Sequence, residues 1–334
     1  MSANSRCPRI SGIVLALLLP ALITARPTDG FSQQLILSAD VGKTTFFEGE
    51  PVYLLVRLQN VGADTAWVDF YSLLSPAVTL SVSRGGGRAA PVAKPVADYI
   101  TRPSWRGEPV PPGADFLQSI VLQEIMGDEW GIRTHLFPHH LPPDQYELRI
   151  KFDAHGGVPG ATPLRLEAAP IVFQIRARSP AEEGEVRELE AMRQMGWDTT
   201  RVQGFPRAAG YKAALIDWVE RRLREQPEDP FLPFLLSDGL YGVGQILWRH
   251  IQAGEVQRFD PDTSEVVSHL RLAVIQSQKL SIAGAHLVQG LPARDRDQLA
   301  VLGEHLGATP AGEMARSHVA RNHSGQQPKK QPPP

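Results

Sequence analysis

Cysteine is almost absent from this sequence: Cys7 is the only one in 334 residues, and it precedes the first apolar run. A lipoprotein cysteine would follow such a run, which argues against lipidation. Once a leader containing Cys7 is removed, the chain has no thiol, so disulfides, thiolate nucleophiles and zinc–thiolate sites are excluded. A disulfide-free exported domain must rest on its core alone, which a domain of this size can do. Charge imbalance is also missing: the net charge is −2, so no global field draws the chain to nucleic acid or to an anionic membrane. After the N-terminal segment no apolar stretch approaches the ~20 residues that a spanning helix requires. No serine stands in a Gly-x-Ser-x-Gly elbow.

What is present is globular in composition, with 42% hydrophobic and 21% charged residues. The length suits two domains of roughly 100–200 residues each. Residues 1–25 have the layout of a secretory signal. Arg6 and Arg9 precede the apolar run Ile10–Leu19, which extends to Ile23, and Ile23-Thr24-Ala25 offers a cleavage site. The expected mature chain begins at Arg26, is periplasmic or extracellular, and carries no membrane span. An uncleaved anchor is the alternative.

From about residue 33 to 177 the pattern has period two, which is strand periodicity. Val52, Leu54, Val56 and Leu58 point one way; Tyr53, Leu55, Arg57 and Gln59 point the other. Ala66, Val68 and Phe70 alternate, as do Val78, Leu80 and Val82. Phe116–Gln123 is a further strand candidate. Tyr146, Leu148, Ile150 and Phe152 alternate with Glu147, Arg149, Lys151 and Asp153, and Ile171, Phe173 and Ile175 make the last strand. With Leu35–Ala39 this predicts seven or eight short strands, the signature of an antiparallel β-sandwich. Residues 83–115, rich in Gly and Pro and containing Trp105, read as a long loop or an insertion over one edge.

The period changes at Ser179-Pro180-Ala181-Glu182, a capping box with proline at the first helical position. An all-helical domain of about five helices is expected over 179–307. Its apolar markers are Val186, Leu189, Met192 and Met195; Tyr211, Leu215, Trp218 and Val219; Phe231–Leu247; Val266, Leu270 and Val274; and Leu299, Leu302 and Leu306. The segment from Phe231 is apolar on most faces, so it should be central. Gly307 ends the last helix, and 308–334 reads as a disordered polar tail. The break at 179 predicts that 26–178 and 179–310 each fold alone.

Candidate chemistry is sparse. Gly42-Lys43-Thr44 resembles the end of a phosphate loop, but the required first glycine is Leu37, and Thr45-Phe46-Phe47-Glu48-Gly49-Glu50 does not read as a helix. A turn is the better reading. Asp260–Glu265 resembles a calcium loop, but Glu265 stands where glycine is needed and Arg271 where glutamate is needed. It reads as helix capping. His135, His139, His140 and His155 are the most suggestive cluster, but Pro138, Pro142 and Pro143 argue against the helix that would aim them together. They read as solvated loop histidines. The sequence therefore nominates no catalytic, cofactor-binding or metal residue and implies no cofactor.

Glu48-Gly49-Glu50-Pro51-Val52-Tyr53-Leu54 with Leu58-Gln59-Asn60-Val61-Gly62 resembles the opening of exported bacterial immunoglobulin-like domains. Leu141-Pro142-Pro143-Asp144-Gln145-Tyr146-Glu147-Leu148 resembles a common strand start of those domains, with Asp144 where glycine is usual. The BsuPI-type proteinase-inhibitor domain and macroglobulin-like domains share this pattern. The resemblance covers 33–177 and implies an immunoglobulin-like sandwich, but almost nothing about function. Pro227–Phe234 loosely resembles the start of a tetratricopeptide-like helix, although no fixed repeat is visible.

Three functions remain as expectations. The first is a non-catalytic exported binding or scaffolding protein, its partner another protein or a peptide, docking on an exposed apolar patch of the helical half or at the junction. The second, implied by the β-domain resemblance, is an inhibitor of exported proteinases acting through 83–115. The third is a metal-dependent hydrolase using His135–His155.

Overall fold

The computed structural model describes residues 35–68, 73, 77–91, 108–125, 141–155, 163–202, 204–239, 261–291 and 296–324. The signal-like segment, Trp105, His135, His139, His140 and residues 325–334 lie outside them. The N-terminal half is built of β-sheets and the C-terminal half of helices.

Three strands form the first sheet, in the order β1 (Leu35–Asp40), β3 (Tyr53–Asn60), β8 (Asp115–Val121), all antiparallel. The second sheet runs β2 (Thr45–Phe47), β11 (Ile171–Arg176), β9 (Asp144–His155), β5 (Val78–Arg84), β6 (Ala90–Pro91). β10 (Pro163–Glu167) also pairs with β9. A small ribbon joins β4 (Ala66–Val68) to β7 (Glu108–Val110). The alternation read from sequence sets the faces. Val52, Leu54, Val56 and Leu58 of the first sheet and Leu148, Ile150, Phe152 and Phe173 of the second enter one buried cluster. On the other face of β9 the charged set is exposed and forms ion pairs: Arg149–Glu147 at 2.6 Å, Lys151–Glu167 at 3.2 Å and Arg165–Asp153 at 3.3 Å. Exposed pairs of this kind contribute little stability, but they keep that face in water.

A short α1 (Leu122–Ile125) follows β8. α2 (Pro180–Val202) starts on the capping box expected from sequence. Ser179 N–H donates to the Glu182 carboxylate at 2.7 Å, and Glu182 N–H donates back to Ser179 Oγ at 3.4 Å. α3 (Gly204–Glu225) buries Leu215, Trp218 and Val219. α4 (Phe231–Phe234) runs into a wide π turn over Leu235–Gly239, and Phe231, Leu232, Phe234 and Leu236 are all at most 3% exposed. The expected long helix is thus central where it is described; its continuation through Leu247 lies outside the described residues. α5 (Pro261–Ser277) buries Val267, Leu270 and Val274, while the sequence-nominated Val266 faces outward at 37% exposure.

Three helices depart from expectation: α1 takes Leu122 and Gln123 from the expected strand Phe116–Gln123, and two more lie in the helical half. α6 (Ile282–Gln289) lies in a stretch that carried no helical assignment. α8 (Pro310–Ser324) lies in what reads as a disordered tail, so that reading is corrected. Ala311, Met314 and Ala315 of α8 are fully buried, and with α7 (Arg296–His305) they pack into the helical core. Small residues allow close helix approach, so apolar bulk is a poor guide to this helix. α6 and α8 start on one local device. Ser281 Oγ accepts from Gly284 N–H at 3.1 Å, and Thr309 Oγ1 accepts from Gly312 N–H at 3.2 Å. Each glycine is required by a close backbone approach: a Cβ on Gly284 would stand 2.2 Å from the Gln278 carbonyl oxygen, and one on Gly312 2.4 Å from that of Gly307. Gly307 ends α7 as expected, with φ +57°.

The sheets and the helices share a buried cluster. Tyr53, Leu117 and Val121 of the first sheet belong to the same buried cluster as Val219, Phe231, Leu287 and Met314 of the helices. The face of β3 that reads as outward thus carries a second core. The described residues belong to one compact unit. Cutting at 179 would expose that second face to water.

Candidate functional site

The junction between sheet and helices gathers most of the polar side chains that chemistry could use. β8 is an edge strand of its sheet, and its outer main-chain groups need partners. Two helical side chains supply them. Gln289 on α6 accepts from Ser119 N–H at 2.6 Å and donates to Ser119 C=O at 2.8 Å. Ser317 on α8 accepts from Leu117 N–H at 3.2 Å and donates to Asp115 C=O at 3.1 Å. Gln289 and Ser317 stand at the same spacing after the Ser281 and Thr309 caps. The two helices therefore use one geometry twice, and the edge is closed against further strands.

Tyr53 crosses the same junction. Its hydroxyl donates to the Pro230 carbonyl at 2.5 Å, and its ring lies 5.2 Å from that of His286. Phe47 meets Phe231 at 6.0 Å between ring centroids. Arg57 donates to Asp115 at 2.7 Å and also pairs with Glu313 on α8. Desolvation first, and the nearby Glu313 charge with it, raise the Asp115 carboxyl above its ordinary value, against the pull of Arg57.

Two carboxylates are nearly inaccessible, Glu50 at 1% and Asp229 at 3% exposure. Glu50 pairs with Lys43 and accepts from Phe47 N–H at 3.1 Å. Its main-chain oxygen accepts from Gln123 Nε2 at 2.6 Å, and Gln123 Oε1 accepts from Val52 N–H at 3.0 Å. Burial raises the Glu50 carboxyl, opposed chiefly by Lys43. Asp229 accepts from Phe231 N–H at 2.8 Å, which starts α4, and from Arg222 Nε at 2.7 Å. Gln278 Nε2 holds the Asp229 and Pro227 carbonyls at 2.8 and 3.1 Å. Arg222 also pairs with Glu185 on α2 and lies 5.6 Å from the Trp218 ring centroid.

The sequence-nominated chemistry disperses. Gly42 sits in a turn at φ +75°, its N–H donating to Asp40 at 2.9 Å, and the strand β2 comes after it, not a helix. The turn reading of Gly42-Lys43-Thr44 stands. His155 ends β9. Among the described residues no group of three His, Cys, Asp or Glu side chains is placed to hold a metal ion. The hydroxyls of Ser237, Ser277, Ser281, Thr309 and Ser317 donate to main-chain carbonyls. Among the described residues no helix is long and apolar enough to cross a membrane. Among the described residues of the helical half, the large apolar side chains left exposed are Val266, Leu280 and Val301. Val266 lies on α5, and Leu280 in the turn between α5 and α6. Val301 is exposed on α7.

Sequence reasoning missed Gln289, Ser317, Glu185 and Arg222, while Asp229-Pro230 reads from sequence as the helix start that it is. The cap motifs Ser281-x-x-Gly284 and Thr309-Pro310-x-Gly312 are the signals that could have located the first two.

No family model matches the chain, and no curated protein matches it. Solved structures with partial likeness include a structural-genomics target, SoR45, at 8% identity and TM-score 0.25 over 45% of this chain and 89% of that one. They also include Spo0M, a sporulation control protein from Bacillus subtilis, at 12% identity and TM-score 0.23. That match covers 48% of this chain and 56% of Spo0M. Likenesses at this level carry no functional argument.

Proposed function

We propose that this chain is an exported, non-catalytic binding or scaffolding protein that acts through contact with another protein or a peptide. Its β half is read as an immunoglobulin-like sandwich, on the alternation, the mainly antiparallel pairing (β2 runs parallel to β11) and the single buried cluster fed by both sheets. Export rests on the sequence pattern of residues 1–25.

The observation that supports the reading best is how the buried charges are used. Glu50 and Asp229 are each held by a cation and a main-chain N–H of this chain. A catalytic carboxylate or base needs an open side facing a reacting atom. These two instead fasten loops and a helix start. The same holds at the sheet edge, where Gln289 and Ser317 satisfy main-chain groups.

The test is to crosslink the full chain in its native compartment, identify what is captured and rebind it to the purified protein. One defined partner that rebinds at fixed stoichiometry is expected. In parallel, the purified chain meets panels of hydrolase substrates and exported proteinases. Turnover abolished by a single side-chain substitution would overturn the proposal. Stoichiometric proteinase inhibition would replace it with the inhibitor reading.

A further inference from the structure

Glu185, Arg222 and Asp229 come from three separate elements: α2, α3 and the turn before α4. A single guanidinium nitrogen, Arg222 Nη2, reaches both carboxyl groups. The side chains are 18%, 14% and 1% exposed, so water solvates the group poorly. Glu185 Oε1 and Asp229 Oδ2 are thus brought to one and the same nitrogen. With both carboxyls ionised, one cation faces two anions in a poorly hydrated site. With one proton on the pair, one cation faces one anion and the charges balance.

We propose that Glu185, Arg222 and Asp229 form a proton-held latch that fastens α2 to the turn before α4. The latch is closed while the carboxyl pair holds one proton and weakened when that proton passes to solvent as the medium turns alkaline. Neighbouring charges are engaged elsewhere. Arg221 pairs with Glu188, Arg178 and Arg187 with Glu183, and Arg176 with Glu182. The neutral amides of Gln226 and Gln278 complete the surroundings, through Arg222 and the Asp229 carbonyl. The charges acting on Glu185 are those of Asp229 and Arg222.

Burial first, then the adjoining Asp229 carboxyl, push Glu185 up from 4.5 to about 8. A raised carboxyl binds its proton more tightly in the folded chain than in the unfolded one. The stability it brings is therefore whole below pH 4.5 and is lost as pH rises through about 8. One linked proton changes the folding constant by up to about tenfold per pH unit within that window. The latch moves with solution pH alone, so an exported chain could respond to its medium without a ligand.

The experiment is urea unfolding of the full chain at about pH 6 and about pH 8, for wild type and for Glu185→Gln. The glutamine cannot ionise. Wild type is expected to lose at least about tenfold in folding constant relative to the variant between those pH values. All other ionisable groups are common to both proteins and cancel in the comparison. Parallel pH profiles would overturn the latch. If Glu185→Gln fails to fold, the wild-type carboxyl carbon of Glu185 is titrated by NMR. A midpoint near 8 is expected, and one at or below the ordinary carboxylate range overturns the proposal.

Discussion

Ending the chain at Gly307 is expected to unfold it. α8 places Ala311, Met314 and Ala315 at 0% exposure, inside the cluster that also holds Leu299, Leu302 and Leu306 of the preceding helical segment. Its removal strips Ser317 from the β8 edge and leaves Leu117 N–H and Asp115 C=O without that partner. Arg57 loses Glu313. The carbonyls of Gly303 and Gly307, each held at 2.7 Å by Arg316, lose their donor. Deleting one buried methionine side chain alone costs about 2–5 kcal/mol. The whole helix therefore removes about as much as the ~5–15 kcal/mol that holds a typical domain folded. Far-UV circular dichroism checks this against a chain ending at Ser324. The shorter chain should show no cooperative melt. A cooperative melt at an unchanged midpoint would restore the reading of 308–334 as a dispensable tail.

The second large effect is expected from Phe231→Ala. Phe231 is fully buried where the two halves meet, touching Phe47 of β2 across the junction and packed in the cluster of Tyr53, Val121 and Val219. Emptying that volume should cost about 3–5 kcal/mol. Because strands and helices both line the cavity, the strand and helix signals should shift together in urea. Circular dichroism and tryptophan fluorescence should then report one lowered midpoint. Separate midpoints would mean that the cavity belongs to the helices alone.

The faces of the strands were legible because period-two alternation needs only local sequence. Leu54, Val56 and Leu58 are buried as their spacing requires, as are Leu148, Ile150 and Phe152. Ser179-Pro180 was legible for the same reason, since a cap is a contact between neighbours. What covers the opposite face of β3 was not legible. Tyr53, Leu55 and Arg57 look like a solvated face, and only the tertiary arrangement puts α6 and α8 near them. α8 was missed because its buried residues, Met314 apart, are small and interspersed with Arg and Ser. Thr309-Pro310 nevertheless has the cap-then-proline chemistry of Ser179-Pro180. The candidate cluster was the least legible part. Glu185 lies 37 residues before Arg222, which is seven before Asp229, and the charge pattern around Glu185 and Arg222 matches an ordinary solvated helix face.

Scanning calorimetry of the full chain tests most directly whether sheets and helices share one core. A shared core requires a single transition in which the calorimetric and van't Hoff enthalpies agree. Two transitions, with the helical signal lost while the strand signal persists, would contradict it and return the chain to two independent domains.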